Sequence, residues 1–371
     1  MRDGLPRATQ PQDIGDLSGA IRRIMSVQRP DGAIPWFEDG PWDPWNHVEC
    51  AMALNVAGES GAADAAFRFL RETQLSDGAW LGEYGNALPM VDRDFISRAK
   101  APALKDTNFV AYPAVGLWHR FLLDGDQTAV RADWPMLQAA INFVLSLQTS
   151  SGDISWCAEG AGTDADDSLL AGNASIAKSL DCAIALGRIL GEDVEAWTTA
   201  HERLASALTR QPQRFDRRGA GARFAMDWYY PVLSGALDRT VESARLEADW
   251  PHFTEPELGC RCVVDEPWVT VAETCELAIA LVRVDRRDEA RRLFEAQAAM
   301  RDEQGVFWMG WQMEEAIFWP REQPSWTQAA AILAADALHD RSPASRVLTE
   351  APLEAAQHAQ ALHGFDLFEE V

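Results

Sequence analysis

The chain has 371 residues, of which 57 are acidic and 33 basic, giving a formal net charge of −24 at neutral pH. This charge argues against binding to nucleic acid or to an anionic membrane, because both carry negative charges that basic side chains must neutralise. It fits a protein that self-repulsion keeps monomeric or loosely associated, although the sequence does not fix the oligomeric state.

The hydrophobic fraction of 47% predicts a globular protein with a sizeable core. No apolar run approaches the roughly 20 residues of a membrane helix, and the amino terminus lacks the hydrophobic segment of a secretory signal. Six scattered cysteines indicate reduced core residues rather than a disulfide framework. These features predict a cytoplasmic protein without a transmembrane segment.

In chain order, the first amphipathic helix is predicted over residues 14–27, and it ends in a turn that begins at Gln28. This turn has the pattern Gln-x-x-Asp-Gly followed by a Trp, and we call it the cassette. It returns at Gln74, in a variant form at Gln148, and more weakly at Arg301. Each cassette closes an amphipathic helix, which a globular fold places on the outside.

A second kind of helix, apolar on all sides, follows each cassette, and such helices are buried. Alternation of outer and inner helices at this period is typical of a closed ring of helix pairs. We therefore predict an all-α (α/α)6 toroid over residues 1–340 and a tail over 341–371 that adds at most one covering helix. The inner helices are predicted at 46–56, 107–123, 170–190, 224–237, 269–282 and 326–338, and the outer ones at 14–27, 62–73, 133–147, 194–210 and 287–300.

All inner helices of a toroid begin at the same end, so the loops before them converge on one pocket. The 15 tryptophans of the chain are concentrated enough to line such a pocket. Simpler roles stay open, since Asp106 is also a natural helix cap and His119 a natural core residue. The candidate substrate-binding residues are Trp45, Glu49, Asp106, Asn108, Trp118, His119, Asp227, Trp228, Tyr229, Glu273, Trp311 and Trp326.

Three carboxylates, Asp164, Asp166 and Asp167, precede the third inner helix. Like charges and desolvation both raise a carboxyl pKa, so Asp166 between its two neighbours is a candidate catalytic proton donor. The alternatives are a solvated acidic loop, a helix cap, or ligands for a magnesium-bound phosphate group.

The repeated cassette resembles that of the terpenoid cyclase and prenyltransferase superfamily, whose repeats end outer helices in this way. In the class II cyclases of that superfamily, such as the squalene–hopene type, an Asp-x-Asp-Asp motif carries the catalytic acid. The segment Asp164-Ala165-Asp166-Asp167 is similar to that motif. The resemblance implies that Asp166 protonates an isoprenoid substrate and starts its cyclisation, while Asp164 and Asp167 hold Asp166 protonated.

A second resemblance is to the helical-toroid glycosidases, in which a Gly-Asp…Trp-Pro connection joins an inner helix to an outer one. Here Gly125-Asp126 is followed by Trp134-Pro135. This resemblance implies an inverting glycosidase or a lyase that uses a carboxyl pair for acid–base chemistry. The pair would come from Glu49, Asp106, Asp227 and Glu273.

The leading hypothesis from the sequence is thus a class II terpene cyclase-like enzyme acting on an isoprenoid. The alternatives are a carbohydrate-active enzyme and a non-catalytic toroid that binds a glycan or a lipid. The expected partner is a small molecule, and no cofactor is expected, with Mg²⁺ needed only if the substrate carries a diphosphate. Zinc is not expected, because Cys260-x-Cys262 has no second ligand pair at a useful spacing.

Overall fold

The computed structural model describes residues 14–85, 104–158, 167–217 and 223–363. Its helices are α1 (Ser18–Val27), α2 (Pro44–Val56), α3 (Ser60–Thr73), α4 (Thr107–Ala111), α5 (Pro113–Asp124), α6 (Gln127–Ser146), α7 (Leu170–Leu190), α8 (Glu195–Arg210), α9 (Ala225–Leu233), α10 (Arg239–Phe253), α11 (Val271–Arg283), α12 (Arg287–Ala296), α13 (Ser325–His339) and α14 (Pro352–His363). Short strands are β1 (Lys105–Asp106), β2 (Cys157–Ala158), β3 (Thr254–Glu255), β4 (Gly259–Arg261), β5 (Trp268–Thr270), β6 (Gly310–Gln312) and β7 (Ile317–Phe318).

The inner ring consists of α2, the α4–α5 pair, α7, α9, α11 and α13. Each of these packs against the next, and α13 packs against α2, which closes the ring. The inner helices are apolar nearly all round, whereas outer helices such as α1, α3 and α12 bury only one face. The predicted (α/α)6 toroid is confirmed. No helix in the described ranges combines the length and the apolarity that a bilayer crossing requires.

Two parts of the fold differ from the sequence prediction. No helix is predicted between residues 237 and 269, but this stretch contains the outer helix α10. Its apolar pattern is weak because only Glu242, Leu246 and Phe253 are buried, and Pro251 lies inside it. The strands were also not predicted, since segments of two or three residues carry no readable alternation.

Three cassettes tie one outer helix to the next, from α1 to α3, from α3 to α6 and from α6 to α8. Gln148 lies just beyond the end of α6, and its Nε2 donates to the carbonyl of Gly152 in its own turn at 3.0 Å. The same atom donates to the carbonyl of Ala200 in α8 at 2.8 Å. The other two glutamines bridge in the same way, Gln28 to Gly32 and Ala62, and Gln74 to Gly78 and Met136. The cassette is therefore a structural clamp between neighbouring outer helices.

The loops that precede the inner helices form a continuous rim, and we use this name for that face of the ring. Each loop is joined to the next by backbone pairing. The pairings are Trp42 with Tyr84, Asp106 with Cys157, Ser168 with Phe215, Phe224 with Val263, Val269 with Trp311, and Ser325 N–H with the Trp36 carbonyl. The rim is thus a connected frame on which the side chains at the inner-helix starts are held.

The segment 341–350 crosses the end of the ring opposite the rim. Arg283 of α11 donates to the Thr349 carbonyl at 2.7 Å, and Lys178 of α7 donates to the Glu350 carbonyl at 2.5 Å. Leu348 is buried and lines cavities together with Ile279 and Leu333 of the inner helices. Helix α14 then packs on α5 and α7. The division into a toroid and a separate tail stays a prediction.

The Gly152→Ala substitution is expected to lower the free energy of unfolding by well over about 1 kcal/mol, the usual cost of Ala at a left-handed position. Gly152 has φ of +100°, and an added Cβ would lie 2.4 Å from the Arg203 carbonyl oxygen of α8. Urea unfolding followed by circular dichroism measures the loss.

The matched control is Gly191→Ala. Gly191 also has a positive φ, +72°, but an added Cβ would meet no atom within 4 Å. This variant is expected to show only the backbone penalty, about 1 kcal/mol. Equal losses in the two variants would contradict the role of Gly152 in the close contact between the cassette and α8.

Candidate functional site

Asp106 caps the amino terminus of α4, the helix that begins the second segment of the inner ring. Its Oδ1 accepts hydrogen bonds from the backbone N–H groups of Asn108 at 2.9 Å and Phe109 at 3.2 Å, which is the usual role of Asp before a helix. Burial nevertheless raises the pKa of Asp106 to about 7, outweighing the two N–H groups that favour the charged form. A large fraction of Asp106 is therefore still protonated at neutral pH.

Asp227 lies in the first turn of α9 and reaches the start of α7, where it accepts from the Ala171 N–H at 3.3 Å. Burial, reinforced by the negative charge of Asp216, raises its pKa to about 7. Asp43, before α2, is fully buried and accepts from the Trp36 indole at 2.6 Å. Burial raises the pKa of Asp43 to about 6.

Glu273 lies in the first turn of α11 and is half-buried. The Thr270 hydroxyl donates to its Oε2, and the Cys262 thiol is also hydrogen-bonded to it. Around the ring, α11 is opposite the α4–α5 pair, so Glu273 and Asp106 start from opposite sides of the rim. The rim thus carries carboxyl groups on facing helices.

Aromatic rings accompany these carboxyl groups. Trp45, in the first turn of α2, is half-buried, and its ring centroid lies 5.5 Å from Phe109. Trp326, in the first turn of α13, meets Trp36 edge-on at 5.3 Å. Trp311 of β6 is buried against Phe318 at 5.0 Å. Flat apolar faces beside acid groups suit a ligand with both carbon–hydrogen faces and hydroxyl groups.

Two carboxyl groups lie deeper in the ring. Glu49 of α2 accepts from the Trp45 indole at 2.9 Å and from the Tyr112 hydroxyl at 3.1 Å, and Glu276 of α11 accepts from the Tyr229 hydroxyl. Burial raises the pKa of Glu49 to about 7. Burial and then the charge of Glu49 raise the pKa of Glu276.

Of the acid cluster, Asp164 and Asp166 lie outside the described residues. Asp167 is buried, and its Oδ1 accepts from the Ser168 N–H at 2.8 Å and forms an ion pair with Arg217 at 3.3 Å. These contacts fix the loop before α7. A catalytic role for the three carboxylates stays a prediction.

Three predicted substrate-binding residues lie away from the rim. Trp118 is buried and stacks on Phe121. His119 is buried and lines a cavity with residues of the tail, and burial lowers its pKa to about 3. Trp228 packs between α9 and α10, where its indole donates to the Arg245 carbonyl at 2.9 Å. The other predicted residues lie on the rim or directly below it, and Asn108 among them is buried with its Oδ1 unbonded.

Sequence reasoning missed Asp43, Glu276, Tyr112 and Tyr230. Asp43 precedes Pro44, a common first residue of a helix, and it caps α2 by accepting from the Asn46 N–H. Glu276 follows Glu273 by one helical turn and therefore points to the same face, which was a usable signal. Within the described residues, no three His, Cys, Asp or Glu side chains are grouped as metal ligands.

No family model matches the chain. The MMP endo-(1,4)-3-O-methyl-alpha-D-mannosidase of Mycolicibacterium hassiacum is 41% identical to it over 344 residues, which cover 93% of this chain and 91% of that enzyme. The chain belongs to the family of this mannosidase.

Solved structures with the same fold are much more distant in sequence. The GH63 mannosylglycerate hydrolase from Thermus thermophilus, in complex with glucose, is 13% identical with a TM-score of 0.64, over 86% of this chain and 99% of that one. A wild-type glycosidase is 11% identical with a TM-score of 0.67, over 90% and 97% of the two chains. At these identities the likeness concerns the fold alone.

The prediction of a terpenoid cyclase or prenyltransferase is therefore wrong, and with it the isoprenoid substrate and the cyclisation activity. The relative is a mannosidase, and the cassette that suggested a cyclase is a clamp between outer helices. Because its glutamine contacts only backbone carbonyls of its own turn and of the next outer helix, the cassette is evidence for the fold and not for the chemistry. The findings agree with the carbohydrate-active alternative.

The carboxyl groups on the rim are expected to make the free energy of unfolding fall as pH rises from 5 to 8. The pKa of Asp106 is about 7 in the folded chain against an ordinary value of 3.8. The folded state therefore binds more protons than the unfolded state between these values, so stability is lost over that window. Urea unfolding at several pH values measures the fall.

Asp106→Asn separates this effect from the growing repulsion of a chain with net charge −24. The amide does not ionise, so the fall between pH 5 and 8 is expected to shrink by on the order of 1 kcal/mol, allowing for partial exposure. A variant whose pH dependence equals that of the wild type would show that Asp106 is not protonated in the fold.

Proposed function

We propose that this protein is a glycoside hydrolase that cleaves α-(1,4) linkages inside oligosaccharides of 3-O-methylmannose. The proposal is supported by the identity of 41% to a mannosidase named for that linkage and sugar, over 93% of this chain. The cytoplasmic location and the absence of a cofactor are parts of the same proposal, since two carboxyl groups suffice for glycoside hydrolysis.

The observation that carries the chemistry is a carboxyl group of raised pKa, Asp106, on the rim with a second carboxyl group, Glu273, on the opposite inner helix. We assign the general acid to Asp106, whose pKa of about 7 keeps a proton available for the leaving oxygen. Its Oδ1 accepts the two capping N–H groups, so the proton belongs on Oδ2.

Glu273 is assigned as the general base that activates water on the other face of the sugar. The Thr270 hydroxyl holds one of its oxygens. The two carboxyl groups come from opposite inner helices, so they lie on two sides of the space that the rim surrounds. An inverting glycosidase needs its carboxyl groups on two sides of the sugar, about 6.5–9.5 Å apart, with a water molecule between the base and the sugar.

A methylated sugar also suits the apolar side chains of the rim. Leu169 is 39% exposed and Phe224 43% exposed, directly before α7 and α9. An O-methyl group replaces a hydroxyl donor with apolar surface, and burying it against such side chains is favourable. The half-buried Trp45 and Trp326 provide flat faces on which a sugar ring stacks.

Asp106→Asn and Glu273→Gln are each expected to lower kcat/KM on a 3-O-methylmannose oligosaccharide by about 10²–10⁴-fold, the usual contribution of a general acid or base. Release of reducing ends measures the rate. In the wild type kcat/KM is expected to fall above about pH 7 as Asp106 ionises.

Asp43→Asn and Asp227→Asn are the comparison variants, because both remove a rim carboxyl group whose pKa is raised. If one of them abolishes turnover while Asp106→Asn retains it, the acid is misassigned although the hydrolase stands. Wild-type protein that cleaves neither methylated nor unmethylated α-(1,4)-mannosides would overturn the proposed function.

Phe224→Ser is expected to reduce the preference for methylated over unmethylated substrate. A single methyl group in an apolar pocket is worth about 10-fold or more in kcat/KM, so a several-fold drop in the ratio is expected. Val241→Ser, an equally exposed apolar residue on the outer helix α10, is the control. An unchanged ratio in Phe224→Ser would remove this residue from the subsite.

A further inference from the structure

Glu49 is a buried carboxyl group that the assignment of acid and base does not use. It lines a small cavity inside the ring together with Glu276, Tyr230 and Leu348. The cavity has a volume of about 10 Å³, which holds at most one water molecule. A sugar ring does not fit there, so Glu49 acts on a substrate only through its neighbours.

Those neighbours are aromatic rings of the site. A single oxygen of Glu49, Oε1, accepts from the Trp45 indole N–H at 2.9 Å and from the Tyr112 hydroxyl at 3.1 Å. Trp45 lies one helical turn before Glu49 on α2, whereas Tyr112 lies between α4 and α5. The Glu49 carboxyl group therefore links α2 to the α4–α5 pair through two aromatic side chains.

The orientation of Trp45 is set by its hydrogen bond to Glu49 and by the neighbouring aromatic rings. Its ring meets Tyr230 edge-on, with centroids 5.7 Å apart and planes at 88°, and it meets Tyr112 at 5.5 Å. Tyr112 and Tyr230 are buried, whereas Trp45 is half-buried at the rim. The Trp45 indole is thus held from below by Glu49 and from the sides by these rings, with part of its surface left accessible.

We propose that Glu49 is a positioning residue that fixes the orientation of the Trp45 indole, so that a sugar ring of the substrate stacks on the indole face. The inference rests on the proposed function, because it needs a substrate with a sugar face. An aromatic ring stabilises a sugar only when its plane is held parallel to the sugar ring. Without Glu49, two buried donors lose their acceptor, and the indole turns to find another one.

Two substitutions separate the hydrogen bonds from the shape. Glu49→Gln retains an Oε1 acceptor for both donors, and KM for the methylmannose oligosaccharide is expected to stay within about threefold of the wild type. Glu49→Leu removes the acceptor of both donors, and KM is expected to rise more than about tenfold, the equivalent of about one hydrogen bond. In both variants kcat is expected to change less than KM.

Leu204→Ala is the control for lost stability, because Leu204 is a fully buried residue of the outer helix α8. It is expected to lower the melting temperature without raising KM. Tyr112→Phe removes one of the two donors and leaves Trp45 bonded to Glu49, so KM is expected to change less than in Glu49→Leu.

The inference is overturned if KM in Glu49→Leu equals the wild-type value, or if Glu49→Gln raises KM as much as Glu49→Leu does. Failure of the proposed function gives a different result, since the wild type itself would then cleave no mannoside. In that case binding of the same oligosaccharide, measured by calorimetry, still decides the matter. Equal affinity for the wild type and Glu49→Leu would refute the positioning role.

Discussion

Four consecutive outer helices, α1, α3, α6 and α8, are held together by one repeated interaction, in which a glutamine amide donates to two backbone carbonyls at once. One carbonyl belongs to its own turn and the other to the next outer helix, as Gln148 shows with Gly152 and Ala200. The carbonyl of the turn holds the turn closed, and the carbonyl of the neighbouring helix accepts a second donor beside its own helical bond, so one side chain fixes the distance between two outer helices. With outer helices fixed in this way, the inner helices all start at the same face.

That common start explains why acid groups collect on the rim. Asp and Glu favour the first turn of a helix, because its free N–H groups and its dipole attract negative charge. In a closed ring, six such turns face one another, and the burial that follows works against ionisation. Asp106 and Asp227 each accept at least one hydrogen bond from a backbone N–H group, which lowers the pKa, and each is desolvated by burial, which raises it. In both residues the effect of burial is larger. Ordinary capping residues thereby acquire pKa values suited to proton transfer.

The architecture was readable from the sequence because the cassettes and the apolar inner helices repeat along the whole chain. Helix α10 was not, since its buried positions are few and one is the charged Glu242, which pairs with Arg283. Most residues of the candidate site were found from their places at inner-helix starts. The sequence did not predict which carboxyl groups have a raised pKa, because the pKa depends on burial by segments that are distant in the chain. The chemistry was misread because a motif of the fold was taken for a motif of catalysis.

The tail has a consequence for how a long substrate would meet the protein. Residues 341–350 fill the end of the ring away from the rim, with Ala344, Val347 and Leu348 buried among the inner helices. The barrel is therefore a blind well rather than a tunnel, and a polymer cannot be threaded through it. Under the proposed function, a polysaccharide reaches the site only from the rim, so its two ends are not required to pass through the ring.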